Sequence, residues 1–175
     1  MNSIRTILIL LLISSTSFCI AQNEKDLDIS HAPMSFISNS SGDFEVKVNY
    51  VSPTIDKEQV VWGGIIPYNQ DWPQNINHAF KITFNRPVQI GYDQENRLDK
   101  GTYYIQINPS EKKWTYIFKN EDEQIVLKYT TFKIYSIEQQ DRMLVFLDEP
   151  EPSNGMLIMN IKWGKVVGSL FLYPL

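Results

Sequence analysis

Apolar and polar side chains alternate with a period of two along most of the chain beyond residue 40. At the start of this region Phe44, Val46 and Val48 alternate with Glu45 and Lys47. Such alternation is typical of strands that bury one face and expose the other, and these strands pair in antiparallel sheets. No window of 12 residues carries a helical stripe, so the chain is predicted to be all-β. The same alternation recurs at 80–84, 102–107 and 114–118.

Turn-forming residues separate these segments at short intervals. The turns are rich in Gly, Asn, Asp, Ser and Pro, which favour turn conformations for distinct physical reasons. About nine or ten short strands with this spacing are typical of a single antiparallel β-sandwich of the jelly-roll kind. The turn segments are 41–43, 93–100, 108–112, 120–123 and 149–155.

The alternation changes phase near residue 130. Leu127 and Tyr129 occupy odd positions, while Phe132 and Ile134 occupy even ones. Because a slip of one residue turns every following side chain to the other face, the sequence predicts a β-bulge near 130–131. Two short strands with a turn between them would explain the same pattern.

The C-terminal segment predicts a closing hairpin. Its strands would span about 156–163 and 166–173, with a turn at 163–165 where Gly164 supplies backbone freedom. The uninterrupted apolar run at 144–147 predicts a central strand just before this hairpin.

Residues 1–21 are interpreted as a secretory signal peptide. Arg5 provides the positive charge, 7–13 form an uninterrupted apolar run, and a small-x-small cleavage site ends at Ala21. The apolar run is far shorter than the ~20 residues that a transmembrane helix needs, so no membrane span is predicted. The protein is expected to be exported, either to the periplasm or as a secreted protein.

The rest of the chain divides into a polar leader at 22–33 and one domain at 34–175, because 175 residues are about the size of one domain. The single cysteine, Cys19, lies in the signal, so no disulfide is predicted after cleavage. Lipid attachment at Cys19 is the alternative, and the bulky Phe18 before it argues against that modification. With 20 acidic and 16 basic residues, a nucleic-acid partner is not expected, since phosphate binding needs a basic stripe.

The longest irregular segment, 63–78, is the predicted functional site. Loops of more than about 12–15 residues are uncommon in compact domains and are often functional. Aromatic rings there would stack on sugar rings, while neighbouring amide and carboxylate groups would bond hydroxyls. Alternatively, Trp62 and Tyr68 close the open end of the sandwich as part of its core. The candidate ligand-binding residues are Trp62, Tyr68, Asp71, Trp72, Asn77 and His78.

Several short motifs follow one another in an order that resembles a known family. The most specific is Gly-Gly-Ile-Ile-Pro-Tyr at 63–68, with Trp72 and Asn77 after it. Tyr50-x-x-Pro53, Gly-Thr-Tyr-Tyr at 101–104 and Trp-Thr-Tyr-Ile-Phe at 114–118 continue the order. Over roughly 32–175 the chain resembles the domain of unknown function 2911 family of exported proteins from Bacteroidetes-type bacteria. The resemblance implies the fold and export, and it carries no established activity.

The chain departs from this family's pattern where the family carries loop arginines. The corresponding positions here hold Met34, Ser52 and Pro73, and segment 75–79 keeps Asn77 without the family's glycine and glutamate. Methionine, serine and proline cannot offer the fork of donors that arginine presents. Any anion-binding or catalytic pocket that the family builds from these arginines is therefore expected to be lost or altered here.

Catalytic alternatives rest on loop residues. His78, Asp71 and Ser52 supply the side-chain types of a hydrolase, but no Gly-x-Ser-x-Gly elbow accompanies them. Asp71 and Asp99 are a candidate carboxylate pair for glycoside hydrolysis. No residue is assigned a catalytic role on this basis.

No cofactor or metal is predicted. A zinc site needs three or four ligands at fixed spacings, and the loops offer one histidine and no cysteine. Oxygen ligands for calcium crowd one turn, but their spacing is not that of an EF-hand, and a solvated turn is expected. They are Asp93, Glu95, Asn96 and Asp99.

The sequence as a whole favours a non-catalytic envelope module that binds a small polar ligand, a glycan or a protein partner. A hydrolase that uses His78 with a loop carboxylate is one alternative. An assembly or scaffolding subunit, joined through an exposed sheet edge, is the other. The oligomeric state is not predicted.

Overall fold

A computed structural model describes residues 31–57, 59–73, 80–152 and 154–175. These ranges contain nine strands and no helix, and hence no helix that is long and apolar enough to cross a membrane. The predicted all-β class is confirmed. The strands are β1 (Met34–Ser41), β2 (Phe44–Val51), β3 (Phe80–Phe84), β4 (Val88–Ile90), β5 (Arg97–Leu98), β6 (Gly101–Pro109), β7 (Lys113–Lys119), β8 (Ile125–Asp148) and β9 (Leu157–Pro174).

All nine strands belong to one antiparallel sheet in the order β1-β2-β3-β6-β7-β8-β9-β4-β5. The period-two pattern explains its faces: in β2, Phe44, Val46 and Val48 are fully buried, whereas Glu45 and Lys47 face away from the core. We call the buried side the inner face and the opposite side the outer face. The sandwich layers and the jelly-roll order stay predictions.

Strand β8 is longer than its neighbours and pairs with β7 in its first part and with β9 in its second part. The predicted bulge at 130–131 is wrong, because the pairing with β7 runs without a shift from Leu127 to Phe132. The shift lies earlier, where Val126 is the unpaired extra residue. Phe132 and Ile134 simply remain on the outer face, where they are 68% and 61% exposed. Single apolar side chains at the surface are common and do not force a change of register.

The middle of β8 leaves β9 and pairs instead with the segment that follows β2. Met143 N donates to Pro53 O at 2.9 Å, and Ile55 N donates to Asp141 O at 2.9 Å. Since β3, β6 and β7 separate β2 from β8 in strand order, the sheet curls until these two strands meet. Asn39 Nδ2 of β1 donates to the carbonyl oxygen of Leu147 at 3.0 Å on the same side.

Strand β9 is continuous from Leu157 to Pro174, so the predicted hairpin at 163–165 is wrong. Gly164 has φ +61° and changes the phase of the strand without ending it. Before it Trp163 is buried, and after it Val166 is buried. The sequence pattern shows the phase change correctly, but a bulge and a turn produce the same pattern.

Replacing Tyr116 with phenylalanine is expected to preserve or raise the free energy of unfolding near neutral pH. Its fully buried hydroxyl has no hydrogen-bond partner among the described residues, and burial raises its pKa. In the unfolded chain this tyrosine ionises near its ordinary pKa of about 10, whereas in the folded protein it stays neutral. Above that pH, ionisation therefore favours the unfolded state, and the free energy of unfolding of the natural protein falls.

Urea unfolding of both proteins at about pH 8 and about pH 11 measures this effect. The loss of stability between the two pH values should be smaller in Tyr116→Phe. Tyr103, Tyr129 and Tyr173, whose pKa values burial also raises, would contribute to the remaining loss. An unchanged loss would contradict the prediction.

Candidate functional site

The four tryptophans of the chain form one cluster in the core. The ring of Trp62 lies 4.4 Å from that of Trp114, 5.8 Å from that of Trp72 and 5.9 Å from that of Trp163, measured between centroids. Trp72 and Trp163 are 5.5 Å apart. Trp62 is only 3% exposed and Trp72 only 8% exposed. Neither ring therefore offers a face on which a sugar could stack, and the burial favours the core interpretation of Trp62.

A tight turn directly after Trp62 helps to hold its ring in this cluster. The indole Nε1 of Trp62 donates to the carbonyl oxygen of Trp163 at 3.2 Å. Gly63 follows with φ +86°, and its N–H donates to Ile66 O at 2.7 Å. The ring of Tyr68 lies over Gly63 so closely that a Cβ at that position would collide with it. The glycine is thus required both by its backbone conformation and by this close approach.

The segment that follows the turn docks against an open edge of β6. Strand β3 pairs only with the first part of β6, so the backbone groups of its last part need other partners. Trp72 supplies them, since its N–H donates to Ile107 O at 2.8 Å and its carbonyl accepts from Ile107 N at 2.7 Å. Asn69, at φ +62°, donates its N–H to Pro109 O at 2.7 Å. This pairing draws Trp72 into the core although polar residues surround it in the sequence.

An open depression of about 550 Å³ forms where this segment meets the outer face of β6 and β7. Asp71 Oδ1 accepts a hydrogen bond from Asn108 Nδ2 at 2.7 Å, and Gln106 Nε2 donates to Pro73 O at 2.8 Å. These two bonds attach the loop to side chains whose position a regular strand fixes. We call this site the amide depression; its lining residues are Asn69, Gln70, Asp71, Gln106, Asn108 and Lys119.

The amide depression offers hydrogen-bond acceptors and one cation. The side-chain oxygen of Gln106 is buried and accepts no bond from the described residues. The ammonium group of Lys119 lies within 4.0 Å of no carboxylate in the described ranges. A buried acceptor without a donor costs stability, whereas Asp71, Asn108 and Lys119 keep part of their surface open to a ligand.

The structure describes four of the six candidate residues and places them in different surroundings. Trp62 and Trp72 belong to the core, and Asp71 lines the amide depression. Tyr68 is half-buried and accepts a hydrogen bond from Lys133 Nζ at 3.3 Å, with the same ammonium 4.9 Å from its ring centroid. The two remaining candidates, Asn77 and His78, lie outside the described residues.

Sequence reasoning missed Gln106, Asn108 and Lys119. The available signal was their position on the outward-facing phase of two predicted strands, next to a loop rich in amides. That signal is shared by every other outward residue, so it does not single these three out.

The residues proposed for catalysis are not arranged for it where the structure describes them. Ser52 is 1% exposed and donates its hydroxyl to Met143 O at 2.6 Å, which leaves it no access to a substrate. Asp71 contacts Asn108 near the end of β6, whereas Asp99 precedes its start. At about 3.3 Å per residue these ends are roughly 23 Å apart, far beyond the roughly 5–9.5 Å of a glycosidase pair.

The turn proposed for calcium is closed by its own hydrogen bonds. Asp93 Oδ1 accepts from Glu95 N at 3.0 Å, and Arg97 Nε donates to Gln94 O at 2.6 Å. Among the residues that the structure describes, no three His, Cys, Asp or Glu side chains are grouped to hold a metal ion.

Of the three positions at which the family resembled in sequence carries a loop arginine, Met34 and Ser52 lie close together. Ser52 N donates to Pro33 O, the residue before Met34, at 2.9 Å. The third position, Pro73, contacts Gln106 through its carbonyl oxygen. Short or apolar side chains thus occupy all three positions.

No curated protein and no solved structure matches the chain. The model of one family, described as "Protein of unknown function (DUF2911)", matches residues 32–169. This match includes every strand up to the first two thirds of β9 and all lining residues of the amide depression. The chain therefore belongs to the DUF2911 family.

Proposed function

We propose that the protein is a non-catalytic module that binds a hydroxyl-rich ligand, the end of a glycan chain, at the amide depression. The observation that carries this proposal is the pairing of Asp71 with Asn108 in a depression whose other lining residues are amides and Lys119. Export through segment 1–21, which lies outside the described residues, is part of the proposal.

Glycan recognition fits the chemistry of these side chains. A sugar hydroxyl donates one hydrogen bond and accepts others, and neighbouring amides and carboxylates offer both kinds of partner. Gln106 and Asn108 are two residues apart on one strand, so their side chains share the outer face. The bonds to Pro73 and Asp71 fix both amides before a ligand arrives, which lowers the entropy lost on binding.

The described lining of the amide depression favours binding over turnover. None of the described residues that line it is a serine, threonine, cysteine or histidine. Nucleophilic and acid–base catalysis need reactive groups within hydrogen-bond reach of each other, and the ionisable side chains of the lining, Asp71 and Lys119, form no ion pair with each other. Asp71, the one carboxylate of the lining, is already bonded to an amide.

Replacing Asp71 with asparagine is expected to weaken glycan binding about tenfold or more. The substitution keeps an oxygen that can accept from Asn108, so the loop stays attached, but it removes the charge that strengthens a bond to a ligand hydroxyl. A glycan array with neutral and acidic oligosaccharides identifies binders of the natural protein, and calorimetry on each binder measures the loss.

Asp99→Asn is the matched control, because it removes a carboxylate at the opposite end of β6. Binding that weakens equally in both variants would indicate a general charge effect. An array without any bound glycan would contradict the proposed function.

A further inference from the structure

The outer face of the central strands is basic although the whole chain is acidic. The chain has 20 acidic and 16 basic residues, yet the outward positions from β2 to β8 are mostly lysine, threonine and amide. Positive charge is thus concentrated on one side of the sheet, next to the amide depression. The charged residues of this face are Glu45, Lys47, Lys81, Lys113, Lys119 and Lys128.

Strand register places two of these lysines on either side of an aromatic ring. Lys81 of β3 is opposite Tyr104 of β6, and Tyr104 is opposite Lys119 of β7. Two interstrand spacings separate the two lysine backbones, which is about 10 Å. Lys119 also lines the amide depression, and Gln106 follows Tyr104 on the same face, so the row and the depression are continuous. We call Lys81, Tyr104 and Lys119 the lysine row.

Within the described part of the chain, the cations of the lysine row have no carboxylate partner. Lys47 is paired with Glu45 at 3.0 Å, but neither Lys81 nor Lys119 has a carboxylate within 4.0 Å in the described ranges. Lys128, beside Ile117 on the next strand, is likewise without an ion pair there. Clustered cations of this kind raise the local concentration of anions.

From this arrangement we infer that the ligand is an acidic glycan that runs from the amide depression across the lysine row. The inference rests on the proposed function and narrows its ligand class. The hydroxyls of one sugar bond Asp71, Gln106 and Asn108, and the next sugar lies against the ring of Tyr104. Its acid group is held between the ammonium groups of Lys81 and Lys119.

The surface between the lysines favours a glycan over other anionic partners. Thr83 and Thr102 bond each other at 2.9 Å, and Thr115 and Thr130 do so at 2.8 Å, so hydroxyl groups lie between the lysines, while the exposed Phe132 lies away from the lysine row, opposite Lys113. A nucleic acid has a phosphate on every unit, and Asp71 would repel it at the depression. A glycan in which neutral and acidic sugars alternate matches both parts of the surface. Its neutral sugar fits the amide depression, and its acidic sugar fits the lysine row.

The test compares oligosaccharides that differ only in charge. The probes are hyaluronan and unsulfated chondroitin oligosaccharides, in which a uronic acid alternates with a neutral amino sugar, each beside its methyl ester, with calorimetry at low and high salt. At least one acid form is expected to bind about tenfold or more tightly than its ester, which corresponds to about 1.4 kcal/mol, and its affinity is expected to fall as salt rises.

Variants locate the effect on the lysine row. Lys81→Met and Lys119→Met are each expected to lower the preference for the acid form several-fold, while Lys165→Met, which removes the same charge from an exposed position on β9, leaves it unchanged. Circular dichroism confirms that each variant is folded.

The outcomes separate this inference from the proposed function. If the methyl esters bind as tightly as the acids, the inference is wrong and the glycan-binding function stands. If neither acids, esters nor the array glycans bind, both are wrong. Tighter binding of duplex DNA, or of vesicles containing phosphatidylglycerol, in competition with the acid oligosaccharide would also overturn the ligand class.

Discussion

Replacing Trp62 with alanine is expected to lower the free energy of unfolding by about 4 kcal/mol. The Trp62 ring contacts the other three tryptophans, with its centroid 4.4–5.9 Å from theirs. Alanine would leave a cavity among large, rigid rings that cannot collapse to fill it. The substitution would also leave the carbonyl oxygen of Trp163 without the bond from the indole Nε1.

The same substitution is expected to weaken ligand binding at the amide depression. The turn that holds Trp62 leads directly into 69–73, whose backbone is docked on β6. Once the ring is removed, the energy that fixes this segment falls, and Asp71 is less firmly positioned. Binding should then weaken even where the protein is still folded.

Urea unfolding followed by circular dichroism measures the stability, and calorimetry with an array glycan measures the binding. Trp62→Phe is the control, since it keeps an aromatic ring in the cluster and removes mainly the indole hydrogen bond. The free energy of unfolding of Trp62→Phe is expected to fall by about 1–2 kcal/mol. Equal losses in both variants would mean that the ring contacts contribute little.

Replacing Gly168 with alanine is expected to lower the free energy of unfolding by about 3 kcal/mol. A Cβ at Gly168 would lie well under 3.0 Å from the Trp114 ring and from the Tyr116 hydroxyl. Both of those side chains are fully buried, so neither can move aside without disturbing the core. Overpacking of this kind forces strained rotamers or a shift of β9.

The control for Gly168→Ala is Gly42→Ala. Gly42 has φ +59°, and nothing lies within 4 Å of a Cβ built there, so its substitution costs only the left-handed backbone penalty of about 1 kcal/mol. Thermal or urea unfolding distinguishes the two variants. A smaller loss at Gly168 than at Gly42 would contradict the packing argument.

The fold class was predictable because the alternation of apolar and polar residues within a single strand shows which of its faces is buried. Phe44, Val46 and Val48 show this in β2, and the pattern needs no knowledge of the neighbouring strands. The ends and joints of β8 and β9 were not predictable. A phase change at Gly164 is consistent with a bulge or with a turn, and only the partner strand decides between them.

The candidate site was predictable in its location and only partly in its residues. The loop at 63–78 was identified by its length and its amides, and Asp71 of this loop lines the depression. Trp72 was predicted as a candidate ligand-binding residue, but its backbone pairs with the open edge of β6 at Ile107 and its ring lies in the core. Gln106 and Lys119 come together only through strand register, which local sequence does not encode.

The curling of the sheet also bears on how the protein avoids aggregation. An exposed edge strand is a template on which another chain can add. Strand β1 ends the sheet in strand order, but Asn39 bonds the backbone of β8 at Leu147, so the end of the sheet lies against its own middle. A self-covered edge of this kind offers a poorer template to a strand of another chain. Asn39→Ala is the substitution that would expose it.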